Sequence, residues 1–326
     1  MSEQLQSDFD KIVKNSKFSN KEIQLKKDFL NKFIESGFPN RKQEDWKFLD
    51  ISQIIKKNIS DLSYFIDYSQ SNKIDLSTFV DGLEHNKIIF LNGRIEKIDF
   101  NHEDQNKIEI IDETKKDISF NYENSLIDLN SAFTDKVFKI LVKKNYSLKK
   151  PLIIYHSTND SIKSTNINLR LDFELGENSC LKLIDYFANN TTKNFINIFY
   201  NFNLEKDSIL KNYKIDKFRN DNLTYSFNNI EQGNNSVSET FILSAGSDYL
   251  KNEINCNLNG EYSSAFINGV FSLKENQQHE IRTTINHLVE NTKSYQLIKS
   301  VLGKNSKSAY QGRIFVNSKA QKTDGY

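Results

Sequence analysis

The 326-residue chain carries 44 Lys+Arg against 43 Asp+Glu, a formal net charge of +1, so its surface offers no bulk attraction to nucleic acid or to an anionic membrane. Hydrophobic residues make up only 37%, yet 24 Phe and 14 Tyr supply enough large apolar surface for a sizeable core, and the length suits about two domains. The longest apolar stretches, 88–91 and 152–155, fall far short of the ~20 residues that span a bilayer. Cys180 and Cys256 alone exclude a disulfide-dense secreted scaffold, and Met1-Ser2-Glu3-Gln4 has neither the basic start nor the apolar run of a secretory signal. A cytoplasmic setting is expected.

In chain order, the first clear element is a helix over 21–36, where Ile23, Leu25, Phe29, Leu30, Phe33 and Ile34 share one face. Asn20 serves as its N-cap, and Gly37 followed by Pro39 is a stop signal. A second amphipathic stretch covers 50–57, with Ile51, Ile54 and Ile55 apolar. The period then changes. Residues 87–91 lead through Asn92-Gly93 into 94–100, which predicts a hairpin, and 107–111 is a further strand. No Pro/Gly/Ser-rich tract marks a linker.

From 137 onward the pattern is strand and turn. Ile196, Ile198, Tyr200, Phe202 and Leu204 alternate with polar residues, and the same alternation recurs in Leu223, Tyr225 and Phe227, in Leu250, Ile254, Cys256 and Leu258, and in Tyr310, Gly312, Ile314 and Val316. Polar dyads punctuate it: Asn178-Ser179, Asp207-Ser208, Asn235-Ser236, Ser263-Ser264, Asn291-Thr292 and Asn305-Ser306, whose second members step by 29, 28, 28, 28 and 14. A strand plus turn every ~14 residues is the mark of coils that each leave an apolar face to be buried by the next. Period-2 alternation without intervening helices argues against an α/β sheet. The expected fold class is mainly β, a β-helix (solenoid) over 136–326 preceded by an N-terminal helical or mixed region over 1–135, with a sandwich of antiparallel sheets as the alternative.

Chemistry-bearing motifs are sparse. Neither G-x-x-x-x-G-K-[ST] nor G-x-G-x-x-G occurs, so ATP hydrolysis and dinucleotide binding by this chain are not expected, and no G-x-S-x-G elbow is present. The histidines His85, His102, His156, His279 and His287 form no close ligand pair with a cysteine, and there is no Cys-x-x-Cys, so no metal or iron–sulfur site of ordinary spacing is expected. His279 and His287 flank one strand. They read better as polar rung residues than as ligands, with His287 the remaining metal candidate. Cys256 shares a face with Leu250, Ile254 and Leu258 and reads as a small buried hydrophobe; Cys180 reads the same way. Trp46, the single tryptophan, lies among Arg41, Lys42, Glu44, Asp45 and Lys47, a self-compensating charged surface, and is expected to anchor packing between helices.

Two stretches carry a resemblance. Gly37-Phe38-Pro39-Asn40-Arg41-Lys42-Gln43-Glu44-Asp45-Trp46-Lys47-Phe48 is similar to the G-x-P-x-R-K-x-E-x-W-K-[YF] signature of the SufD branch of the SufB/SufD family. His287, Thr292, Ser294, Gln296-Leu297, Lys299 and Val301-Leu302, then Gly312-Arg313-Ile314 and Ala320-Gln321-Lys322-Thr323-Asp324-Gly325-Tyr326, resemble its H-x-x-x-x-T-x-S-x-Q-L-x-K-x-V-L, G-x-I-x-V and A-Q-K-T-D-[AG]-Y stretch. Lys322-Thr323-Asp324 after Ala320-Gln321 favours SufD over SufB. Leu288, Val289 and Glu290 stand where the family commonly has Ala-Pro, and Asn317-Ser318-Lys319 where it often has Pro-Gly.

The resemblance implies a right-handed parallel β-helix and a cytoplasmic, non-catalytic scaffold subunit of SUF iron–sulfur cluster assembly. It would pair with SufB through the β-helix end, engage the ATPase SufC and support iron acquisition. It implies no stably bound cofactor, the cluster being assembled transiently with partners. Neither nucleic acid nor membrane is an expected partner; a homodimer stays open. Gln321, Lys322, Thr323, Asp324 and Tyr326 would lie at the partner interface. Family members continue through a C-terminal helical region that docks SufC and holds the family's candidate ligands, so the chain is expected to be truncated relative to them, and no ligand is carried over. A β-helix acting on polysaccharide and a plain interaction solenoid are the alternatives.

Overall fold

The computed structural model describes residues 2–68, 80–112, 123–159, 162–187, 193–217 and 220–326. Four α-helices among them are α1 (Ser2–Asn15), α2 (Asn20–Ser36), α3 (Ile51–Ile54), continued by a π turn over Ile55–Ile59, and α4 (Ser125–Phe133). The strands are β1 (Asn86–Leu91), β2 (Arg94–Asp99), β3 (Ile108–Asp112), β4 (Val137–Val142), β5 (Leu152–Ser157), β6 (Asn166–Leu175), β7 (Cys180–Phe187), β8 (Phe195–Leu204), β9 (Ile209–Asp216), β10 (Asn220–Gln232), β11 (Val237–Ser244), β12 (Ser247–Leu258), β13 (Ser264–Leu273), β14 (Gln278–His287), β15 (Lys293–Leu302), β16 (Lys307–Val316) and β17 (Asp324–Gly325).

The strands form two sheets, one ordered β17-β15-β13-β11-β9-β7-β5-β1-β2 and the other β16-β14-β12-β10-β8-β6-β4-β3. From β4 onward successive strands alternate between sheets, so β5/β6, β7/β8, β9/β10, β11/β12, β13/β14 and β15/β16 are six coils of a parallel β-helix. Among the described residues only β1–β2 and β3–β4 pair antiparallel. The expected boundary at 135/136 falls between α4 and β4, but β1–β3 on its N-terminal side are hydrogen-bonded into the two sheets.

A recurring tight turn explains the dyads. Asn178, Asp207, Asn235, Tyr262 and Asn291 have φ of 55, 58, 57, 62 and 60°, the left-handed region that short polar side chains tolerate best. The following hydroxyl closes the turn, as with Ser208 Oγ to the Glu205 carbonyl (2.6 Å), Ser236 Oγ to Gly233 (2.8 Å) and Ser263 Oγ to Gly260 (2.7 Å). In the fourth dyad the turn therefore sits one residue earlier, on Tyr262-Ser263. The 14-residue step marks a change of corner: Asn305-Ser306, with Asn305 at φ 60°, lies at the opposite edge, where Asn276 (φ 58°) turns the previous coil. Turn backbones stack closely, and a Cβ at Gly303 would lie 1.6 Å from the Lys274 carbonyl oxygen.

Inward residues of both sheets make one continuous core, including Leu183, Ile198, Phe202, Ile254, Cys256, Phe271 and Ile285. A second core lies outside the solenoid. Phe195 and Phe199 of β8 and Leu223, Tyr225 and Phe227 of β10 point outward and are covered by the helical region. α1 contributes Leu5, Phe9 and Ile12 at helical spacing. α4 is buried along nearly its whole length and pinned by Asn130, whose Nδ2 donates to the carbonyls of Leu169 (3.1 Å) and Asn197 (2.9 Å). Buried Lys26 of α2 donates to the Ser131 (3.1 Å) and Thr134 (2.5 Å) carbonyls at the end of α4, satisfying groups a helix end leaves open. Burial holds its pKa down at about 8.

At α2 the observed N-cap is Ser19, not Asn20: its side chain accepts from Glu22 N and the Glu22 carboxylate accepts from Ser19 N, a capping box. Trp46 belongs to the core that the helices share, and it reaches further than expected: its ring lies 5.4 Å from that of Tyr225, with the Lys251 ammonium 4.3 Å from its centre, so it also fastens the helical region to the solenoid.

Candidate functional site

The residues expected at a partner interface come together on the last coil. β17 pairs with β15 through Lys293↔Asp324 and Ser294↔Gly325, Tyr326 N donates to the Ser294 carbonyl (3.1 Å), and Gln296 N donates to the Tyr326 carbonyl (2.9 Å). Lys322, at φ 56°, takes the turn position that Asn291 holds one coil earlier. Gln321, Lys322, Asp324 and Tyr326 are exposed and Thr323 is half-buried; Tyr326 is 73% exposed. Leu302, Ile314 and Val316, inward by register, are also exposed here.

His287 lies directly beneath this segment. It is buried, with Nδ1 2.7 Å from Thr292 Oγ1 and Nε2 2.9 Å from Ser294 Oγ, and burial lowers its pKa. Both ring nitrogens are thus engaged by hydroxyls, and its geometry is that of a lock between turn and strand. His279 is similar, 2.7 Å from Ser244 Oγ and 2.6 Å from the Ser247 carbonyl. Among the described residues no group of three His, Cys, Asp or Glu is arranged to hold a metal ion.

Two buried ionic clusters escaped the sequence reading. In the lumen, the Asp185 carboxylate accepts from Lys214 Nζ (2.5 Å) and Tyr200 OH (2.7 Å) and faces His156 Nε2 (2.5 Å). Burial alone would raise its pKa, but Lys214 and His156 together hold it well below the carboxylate range. His156, Asp185 and Lys214 stand on β5, β7 and β9, so the cluster joins three coils. On the outer face of the other sheet, fully buried Lys251 meets Glu280 Oε1 (2.5 Å), Glu253 Oε1 (3.3 Å) and the Asp45 carbonyl (2.6 Å). Arg282 pairs with the Asp45 carboxylate, and Gln278 Nε2 donates to the Phe48 carbonyl (2.5 Å). The Gly37–Phe48 signature is therefore the buckle that holds the helical region on β12 and β14. An inward charged residue recurring one coil later, Asp185 then Lys214, is the signal that would have found the lumen cluster.

Cys256 is buried, and burial raises its thiol to about 12. Cys180 departs from the buried reading: it is half-buried on the outward face of β7, with its pKa raised by partial burial. Lys47 pairs with Glu44 at 2.9 Å, in keeping with a self-compensating surface, and no helix is long and apolar enough to cross a membrane among the described residues.

Residues 155–326 match the family model described as SUF system FeS cluster assembly, SufBD core domain. The match takes in more than half of the chain and almost all of the six coils, and the chain belongs to this family. It is SufD-like within it: the iron-sulfur cluster assembly protein SufD of Escherichia coli (strain K12) is 23% identical over 306 residues, which cover 91% of this chain and 70% of that protein. The family places the chain in SUF iron–sulfur cluster assembly.

Proposed function

We propose that this protein is a non-catalytic scaffold subunit of cytoplasmic SUF assembly, pairing with SufB through the last coil around Gln321–Tyr326, engaging the ATPase SufC and supporting iron acquisition. The observation that carries the reading is the coincidence of the SufBD core match with the coiled region. A stack of hydrogen-bonded coils contributes by holding partners' reactive groups in fixed relative position, where orientation lowers the barrier without a catalytic side chain of its own. The cluster under assembly belongs to the complex, and this chain holds none of it stably.

The test is co-expression of the complete gene product with SufB and SufC, followed by affinity purification and size-exclusion chromatography. A stable complex is expected, with SufB recovery reduced by Asp324→Lys combined with Tyr326→Ala. Absence of SufB and SufC from the purified protein overturns the proposal.

A further inference from the structure

The two sheets treat their outward faces differently. On the eight-stranded sheet the apolar outward residues of β8 and β10 lie under helices. On the nine-stranded sheet the outward face is covered over β1, β5 and β7, where Ile89, Ile153, Tyr155 and Tyr186 are buried and Ile215 of β9 packs against them, whereas beyond that cluster, over β9, β11 and β13, it stays apolar but half-buried to exposed. Register sets Ile209 beside Val237, Tyr213 beside Phe241 and Ile215 beside Leu243. Tyr213 is 39% and Phe241 36% exposed. These strands are flanked on both sides by others, so their exposure does not arise from an end of the stack. An antiparallel or parallel sheet facing water ordinarily places polar residues at such positions, and contiguous exposed apolar surface marks an interaction site. A shallow groove of about 400 Å³ runs across the patch, lined by Tyr213, Glu239, Phe241 and Phe266.

Charge and size select the occupant. The outward face from β7 to β15 carries Lys182, Lys211, Lys293 and Lys299 against Glu239, and the Lys211–Glu239 pair (3.1 Å) leaves Lys182, Lys293 and Lys299 as the excess charge of this face. The apolar strip therefore sits in a positive field. A second copy would set lysine against lysine. The three-strand face, about 15 Å by 20 Å from strand spacing and rise, is well under half of the ~800 Å² that each member of a stable protein pair buries. A single helix, ~10 Å wide, fits it.

We propose that the outward face of β9, β11 and β13 docks an acidic amphipathic helix of a partner protein, with one bulky apolar side chain in the Tyr213–Phe241–Phe266 groove and a carboxylate over Lys182, beside the Lys211–Glu239 pair. This surface is distinct from the last coil, and its test does not depend on SufB. The probes are two fluorescein-labelled synthetic amphipathic helices with the same leucine face, one with glutamate and one with lysine on the polar face, titrated with the whole chain and read by anisotropy. The glutamate peptide is expected to bind, more weakly as salt is raised, and with affinity reduced about tenfold or more by Phe241→Glu or by Lys182→Glu/Lys211→Glu, tenfold being the usual loss at an interface hot spot. Unchanged thermal melting of these surface variants shows that they fold. Absence of binding, equal binding of the lysine peptide, or binding that survives Phe241→Glu overturns the proposal. So does a concentration-dependent dimer in sedimentation that Phe241→Glu dissolves, which would assign the face to a second copy.

Discussion

Lys214→Met tests whether the lumen cluster is an energetic unit. The substitution keeps an unbranched stem but removes the ammonium that lies 2.5 Å from Asp185, a side chain 1% exposed. Asp185 then remains buried with only His156 and Tyr200 to meet it. Removing one partner of a buried ion pair costs about 3–5 kcal/mol because the stranded charge has no solvent, a large share of the ~5–15 kcal/mol that stabilises a domain. Adding Asp185→Asn removes the stranded charge, so the double variant is expected to cost at least ~2 kcal/mol less than the sum of the single variants. Urea unfolding followed by far-UV circular dichroism reads the solenoid directly. The pH dependence has a definite sign. Asp185 has a folded pKa below its unfolded one, so its contribution is fully present above the unfolded value near ~3.9 and is lost only as pH falls through the lower folded value. The stability gap between wild type and Asp185→Asn should therefore shrink as pH falls below about 4. A cost under ~1 kcal/mol for Lys214→Met, within the range of a surface pair, or additive effects in the cycle, would refute the reasoning.

Two further outcomes follow from the burial of the thiols and of Trp46. With Cys256 buried and its thiol raised to about 12, and Cys180 half-exposed, one thiol should react with Ellman's reagent in the folded protein and two after denaturation; two fast thiols under native conditions would contradict the packing. Trp46→Ala should cost about 3–5 kcal/mol as a buried aromatic truncation and expose the helical region to limited proteolysis while the far-UV strand signal survives. Loss of both together would show that the coils need that region to form.

Strand periodicity was legible because a coil must repeat the same turn. At the dyad corners a left-handed residue is followed by a hydroxyl, which at Ser208, Ser236 and Ser263 donates to a turn carbonyl, and that pairing leaves a visible spacing of 28 or 29 residues. The one slip in register, at Ser263-Ser264, arose because Tyr262 occupies the left-handed position (φ 62°) where Asn or Asp was expected. α1 and α4 went unread for different reasons. α1 has only a narrow apolar stripe among polar residues, and α4 is buried almost all round, which removes the one-sided pattern a surface helix shows. The ionic clusters were hidden because alternation tells which way a side chain points but not which residue faces it across the lumen. Asp185, Lys214 and His156 look like ordinary rung residues until coils 29 residues apart are stacked. The interface candidates Gln321–Tyr326 were legible only through resemblance, since nothing in their spacing distinguishes them from any other turn.

The buckle formed by residues 45–48 changes how the whole molecule carries load. In a bare solenoid each repeat touches only its neighbours, and strain at one end relaxes within a repeat or two. Here a single short stretch of chain is fastened to β10 through Trp46, to β12 through Lys251 and to β14 through Arg282 and Gln278. It acts as a splint laid along the side of a spring, tying three successive windings together along one flank.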